Sequence, residues 1–111
     1  MSQDLIVVTT DTVAGRSVHT SLGLVTGATI RARHVGHDLT AAFRNLVGGE
    51  IPEYTKMMAE SREQALDRLR ASASALGADA VVGLRFTTSM IQAGAAEILA
   101  YGTAVRLGGS A

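Results

Sequence analysis

The sequence predicts a two-layer α+β domain, one long helix laid on an antiparallel sheet. Three observations predict it. A helical pattern runs from Pro52 to Leu76 and stops at Gly77; the stretch Ser17 to Ala32 alternates with period two; and two strand-like runs after the helix lie close enough to pair as a hairpin. With 111 residues and no linker, repeat or composition break, the chain reads as a single domain over residues 1–111, with a loose tail at about 108–111.

In chain order, Leu5 to Thr10 is β-branched and apolar on both faces, the pattern of a short buried strand, and Asp11 to Gly15 is turn-like. In Ser17 to Ala32 the even positions Val18, Leu22, Leu24, Ala28 and Ile30 are apolar, and the odd positions are mostly small or polar. This predicts a long half-buried strand, or two strands broken at a glycine, with the even side inward. Gly23 and Gly27 have nothing to pack and mark a bulge or a close backbone approach. Asp38 caps a short helix carrying Leu39, Ala42, Phe43 and Leu46, which Gly48-Gly49 ends.

Pro52 then opens the long helix at its first turn, where its missing N–H costs nothing. The inner face reads Tyr54, Met58, Ser61, Ala65, Leu69, Ala73 and Leu76, while Lys56, Glu60, Arg62, Glu63, Asp67, Arg68 and Arg70 form a solvated face. Roughly 25 residues of helix span about 37 Å. Asp79 to Ser89 is the next strand, with Ala80, Val82, Leu84 and Phe86 on one face and Val81, Gly83, Arg85 and Thr87 on the other. Gln92-Ala93-Gly94 punctuates. Glu97 to Leu107 is the last strand, in which Ile98 and Ala100 oppose Leu99, Tyr101 and Val105.

Composition removes several function classes. Lys plus Arg equals Asp plus Glu, ten each, so no net field recruits nucleic acid or an anionic membrane. The absence of cysteine excludes disulfides, thiolate catalysis and cysteine zinc sites, and fits a cytoplasmic location. No apolar run is long enough for a membrane span. The core must be thin, because the apolar 47% leans on Ala and Val, with two Tyr, two Phe and no Trp. One helix covers only one face of a sheet, and the bare face, with Val25, Val81 and part of the last strand, would stay wet in a monomer. A homo-oligomer with its sheets turned inward is therefore expected.

The blocks Leu46-Val47-Gly48-Gly49 with Tyr54, Ala75 to Gly83, Gly102-Thr103-Ala104-Val105 and Leu24-Val25-Thr26-Gly27 resemble, in order, those of the YbjQ family. This is a group of small bacterial proteins described as candidate heavy-metal-binding domains without an assigned activity. The resemblance implies a dodecin-like β-α-β-β subunit, a ring of five copies, and a divalent metal as the cofactor to test.

Three sets of residues are candidates for a site. His34 and His37 stand three apart beside Asp38, a spacing that aims two imidazoles at one ion on a helix, although Gly36 makes the segment a turn. His19 lies on the small-residue side of its strand, where a ring would gather copies round an axis. The plainer reading is exposed loop histidines and a hydrogen-bonded strand residue. Second, Arg31, Arg33 and Arg44 surround a helix N-terminus, whose free N–H groups favour a phosphate, nucleotide or carboxylate; the plainer reading is a solvated strand end. Third, Arg44, Glu50 and Tyr54 flank the Gly48-Gly49 connection at a prospective subunit cleft. No Lys-Ser/Thr follows the glycines as a phosphate loop requires, and no Gly-x-Ser-x-Gly is present. No enzyme is expected. The expected function is a ring-forming binding or scaffold protein whose main partner is itself, with a His and carboxylate metal site or a basic anion-binding cleft as alternatives.

Overall fold

A computed structural model of the chain describes residues 5–32, 52–92 and 95–110. The elements are β1 (Ile6–Val7), β2 (Arg16–Ala32), α1 (Pro52–Ala75), β3 (Ala80–Gln92) and β4 (Ala95–Ser110). The short helix expected after Asp38 lies outside the described residues.

The strands form one four-stranded sheet in the order β1-β3-β4-β2. Strand β4 runs antiparallel to both β2 and β3, but β1 runs parallel to β3, with Ile6 opposite Ala80. The sheet is thus mixed, which corrects the purely antiparallel expectation. Parallel neighbours need a long connection, and the chain between β1 and β3, which contains β2 and α1, supplies one. The first strand is also shorter than Leu5 to Thr10. Beyond Val8 the chain bends across the sheet and contributes Val13 to its other face.

Helix α1 ends as its sequence dictates. Gly77 takes a positive φ of 79°, the Ala78 N–H donates to the Ala73 carbonyl (3.1 Å), and the Gly77 N–H donates to Ser74 (3.0 Å). These two bonds satisfy carbonyls of the last turn that the helix itself leaves unpaired. The last turn has no basic residue of its own. Arg106 of β4 fills that role from outside: its Nη2 lies only 2.7 Å from where a Cβ on Gly77 would sit, a favourable place for a cation beside the helix C-terminus. Asp79 next leads into β3, its N–H donating to the Val105 carbonyl and its Oδ2 accepting from the Leu107 N–H at 2.8 Å.

The helix lies over β2 and β4. Ser61, Ala65, Leu69 and Ala73 are fully buried against Val25, Ile98, Ala100 and Ala104, with Met58 and Leu66 at the margin. Leu76 is 47% exposed, because the helix has already ended at Ala75. Small residues at the contact let the backbones approach closely. A Cβ at Gly27 would overlap the Ala65 carbonyl oxygen and the Leu69 backbone nitrogen. The Ser61 hydroxyl, buried in this tight layer, donates to the Met57 carbonyl one turn back (2.8 Å).

The faces of β2 beyond Gly23 and of β3 before Gly83 reverse the expected assignment. Val25, Gly27 and Thr29 face the helix, while Leu24 and Ile30 are 71% and 62% exposed. The cause is a break in register between Ser21 and Gly23, where Gly23 adopts φ 115°. An extra residue in one strand moves every later side chain to the opposite face. Leu22, before the break, still packs on the helix-side core. Strand β3 does the same at Gly83 (φ 64°), within the shift between Val82 and Arg85. Ala80 and Val82 therefore face away from the helix, whereas Val81 and Leu84 join the helix-side core. Strand β4 has no such break in its own alternation, and Ile98, Ala100 and Ala104 lie on one face with Val105 and Leu107 on the other, as expected.

The face away from the helix has two halves. At one end Ile6, Val8, Val13 and Leu107 bury Ala80, Val82 and Val105 in a second small core. At the other end Leu24 and Ile30, opposite Thr103 and Glu97, stand open among the half-buried Ala28, Leu99 and Tyr101.

Candidate functional site

Of the residues singled out from sequence, the described structure places two with their side chains. His19 is exposed near the start of β2, and its Nδ1 shares a 2.8 Å hydrogen bond with the Thr20 hydroxyl. The ring is thereby held along its own strand. Arg31, at the far end of β2, donates from Nη2 to Gln64 Oε1 of α1 at 3.3 Å, tying strand to helix. His34, His37, Arg33, Arg44 and Glu50 lie outside the described residues, and Tyr54 is described only by its backbone in the first turn of α1.

Among the described residues, no three His, Asp or Glu side chains converge as a metal centre would require. The described part of the chain therefore does not fit a metal ion by itself. Three other arginines serve the fold. Arg68 donates to the Ala28 carbonyl (2.6 Å), Arg16 to Gly108 (2.9 Å), and Arg85 to both Thr9 (2.9 Å) and Leu84 (2.8 Å). Thr29 Oγ1 is buried without a hydrogen-bond partner among the described residues, a polar atom left over where β2 meets the helix.

What the described surface offers is apolar. Leu24 and Ile30 form the centre of the open half-face, and Phe86 (41% exposed) and Met90 (68%) flank the free edge of β3 on the helix side. Sequence reading put Leu24 and Ile30 inside because it could not place the bulge at Gly23, and Phe86 inside because it could not tell that α1 would lie over β2 and β4. No described helix is long and apolar enough to cross a membrane, so these residues are not part of a helical span.

Fold and surface together define a small α+β subunit, one helix on a mixed four-stranded sheet with an open apolar half-face. The chain belongs to the YbjQ family, whose model, described as "Putative heavy-metal-binding", matches residues 5–108. A UPF0145 protein of Archaeoglobus fulgidus is 57% identical over 107 residues, covering 96% of this chain and 99% of that protein. A UPF0145 protein of Photobacterium profundum is 53% identical over 103 residues, covering 93% and 100%. The archaeal relative corrects the expectation of a purely bacterial family. A crystal structure of a Pediococcus pentosaceus protein of unknown function, assigned to the DUF74 family, has the same fold: TM-score 0.65 and 18% identity, over 94% of this chain and 98% of that one.

Proposed function

We propose that this chain is the subunit of a self-assembling binding or scaffold protein, its copies set in a ring with the open sheet faces turned inward. The observation that carries the reading is the half-face around Leu24 and Ile30, apolar and left open by the described residues. Its dimensions support it. The chain measures 55 × 25 × 20 Å with a radius of gyration of 17.4 Å, whereas a compact chain of this length has about 13 Å. Its accessible surface is 6851 Å², about 1,000 Å² above the roughly 5,800 Å² expected for its mass. A stable contact buries about 800 Å² on each partner, so the excess covers about one of the two contacts that each copy of a ring makes.

Light scattering at micromolar concentration tests this. The expected particle is a multiple of the 11.5 kDa chain, and the resemblance to the family suggests five copies. Leu24→Asp and Ile30→Asp should shrink it while leaving the circular-dichroism spectrum intact. A clean monomer for the unaltered chain refutes the proposal.

A metal-handling role is the second reading, favoured by the description of the family. Its ligands would be His34 and His37 with carboxylates, and His19 where copies meet. Native mass spectrometry with Zn²⁺, Ni²⁺ and Cu²⁺ tests it directly. Retention of an ion that is lost in a His34→Ala, His37→Ala double variant supports the reading, and no retention at micromolar levels ends it.

A further inference from the structure

Beyond Leu84, strand β3 has a backbone partner on one side only among the described residues. Strand β1 stops at Val7, so from Phe86 to Met90 the far side of β3 is a free edge among the described residues. Hydrogen-bond parity shows which residues aim their backbone outward there. The Leu84 N–H donates away from β4, to the Val8 carbonyl (3.0 Å), and the register with β4 is unbroken from Arg85 to Met90. Outward groups alternate along a strand, so they fall on Phe86, Thr88 and Met90. The opposite flank of the sheet agrees. The Ala28 carbonyl points out of the sheet to Arg68, so its neighbour Leu99 bonds toward β3 and pairs with Thr87, again leaving Thr88 outward.

Proteins usually guard such edges with bulges, charges or proline. Strand β2, the other edge, is guarded: three register shifts bend it, and Arg68 occupies the Ala28 carbonyl. The run Phe86-Thr87-Thr88-Ser89-Met90 carries no charge, proline or bulge of its own, the register shifts of β3 lying at its two ends, and its two large apolar side chains are exposed on one face. The run is also self-complementary. Antiparallel pairing with a second copy about a two-fold axis at Thr88 sets Thr88 against Thr88 and Phe86 against Met90. All three outward residues then meet outward residues, so each forms a hydrogen-bonded pair. Each exposed Phe86 ring gains a thioether contact, and helix α1, seated over β2 and β4, leaves room for it.

We infer that the free edge of β3 is an isologous docking site for a second copy of this chain, continuing the sheet through Phe86, Thr88 and Met90. This contact uses a strand edge, not the open face, and closes as a pair by symmetry. It stands independently of the ring.

Proline at position 88 separates the two. Edge strands accept proline where the N–H faces outward, so Thr88→Pro should keep its circular-dichroism spectrum and lose the pairing. In a Leu24→Asp background, with the face interface removed, the expected mass is twice that of the chain, halved when Thr88→Pro is added. A monomer for Leu24→Asp alone, or a mass unchanged by Thr88→Pro, overturns the inference without touching the ring. In the otherwise cysteine-free chain, Thr88→Cys should form a covalent dimer on mild oxidation. Thr87→Cys should not, being offset diagonally from its symmetry mate beyond disulfide reach. Equal yields from the two variants also overturn it.

Discussion

The close seat of α1 on β2 makes Gly27→Ala the most informative single substitution. The added methyl would overlap backbone atoms of Ala65 and Leu69, and it would stand 3.0 Å from the Arg68 carbonyl carbon. Backbone in mid-helix cannot swing aside as a side-chain tip can, so the whole helix must retreat, by more than about 1 Å to reach ordinary contact. A gap of that size forfeits roughly a quarter to a half of the dispersion attraction across it. The layer that opens includes the fully buried Leu69 and Ile98 and the buried Val25. If each large apolar side chain is worth about 2 kcal/mol buried, the three together lose about 1.5–3 kcal/mol. That matches the upper part of the range for overpacked cores. At about 4 °C per kcal/mol for a chain of this size, the midpoint should fall by roughly 10 °C. Differential scanning calorimetry at fixed protein concentration measures it, with Gly109→Ala, where a Cβ meets nothing within 4 Å, as the control. If Gly27→Ala melts within about 3 °C of the unaltered protein, the close helix–strand approach is refuted.

Two further outcomes follow from the same packing. Gly77→Ala must hold an L-residue at φ 79° and push Arg106 aside, so denaturant titration should show a loss of about 1–2 kcal/mol. Leu69→Ala should cost about 2–4 kcal/mol, whereas Leu76→Ala, at a position 47% exposed, should cost less than about 1 kcal/mol although both stand at core spacing in the sequence.

The ends and inner face of the long helix were legible because local chemistry decides them. Pro52 is tolerated in a first turn, Gly77 takes the left-handed conformation, and Ser61, Ala65, Leu69 and Ala73 recur at helical spacing. Strand β4 was legible for a similar reason, since its alternation is unbroken. Strands β2 and β3 were readable as strands but not as faces. Counting by twos from Leu22, which does face the helix, puts Leu24 and Ile30 inside, and the extra residue at Gly23 puts them outside. The glycines were visible as places for a bulge or a close approach, and Gly23 proved to be the first and Gly27 the second. Which glycine did which depends on the partner strand and helix, and no local pattern carries that. The candidate site was less legible. His19 and Arg31 find their partners in Thr20 and Gln64, and the remaining candidates fall outside the described residues.

The two bulges sit nearly level on either side of β4, Gly23 opposite Ala104 and Gly83 beside Gly102. They divide the 55 Å length of the molecule into a closed end, which finishes its own burial under Val13, and an open end, which does not. Tolerance to substitution should follow that division more than it follows depth below the surface. Polar replacements at Val82 or Val105 would cost a lone chain its stability. The same replacements at Leu24, Ile30 or Met90 would leave a lone chain folded and be felt only in the proposed assembly.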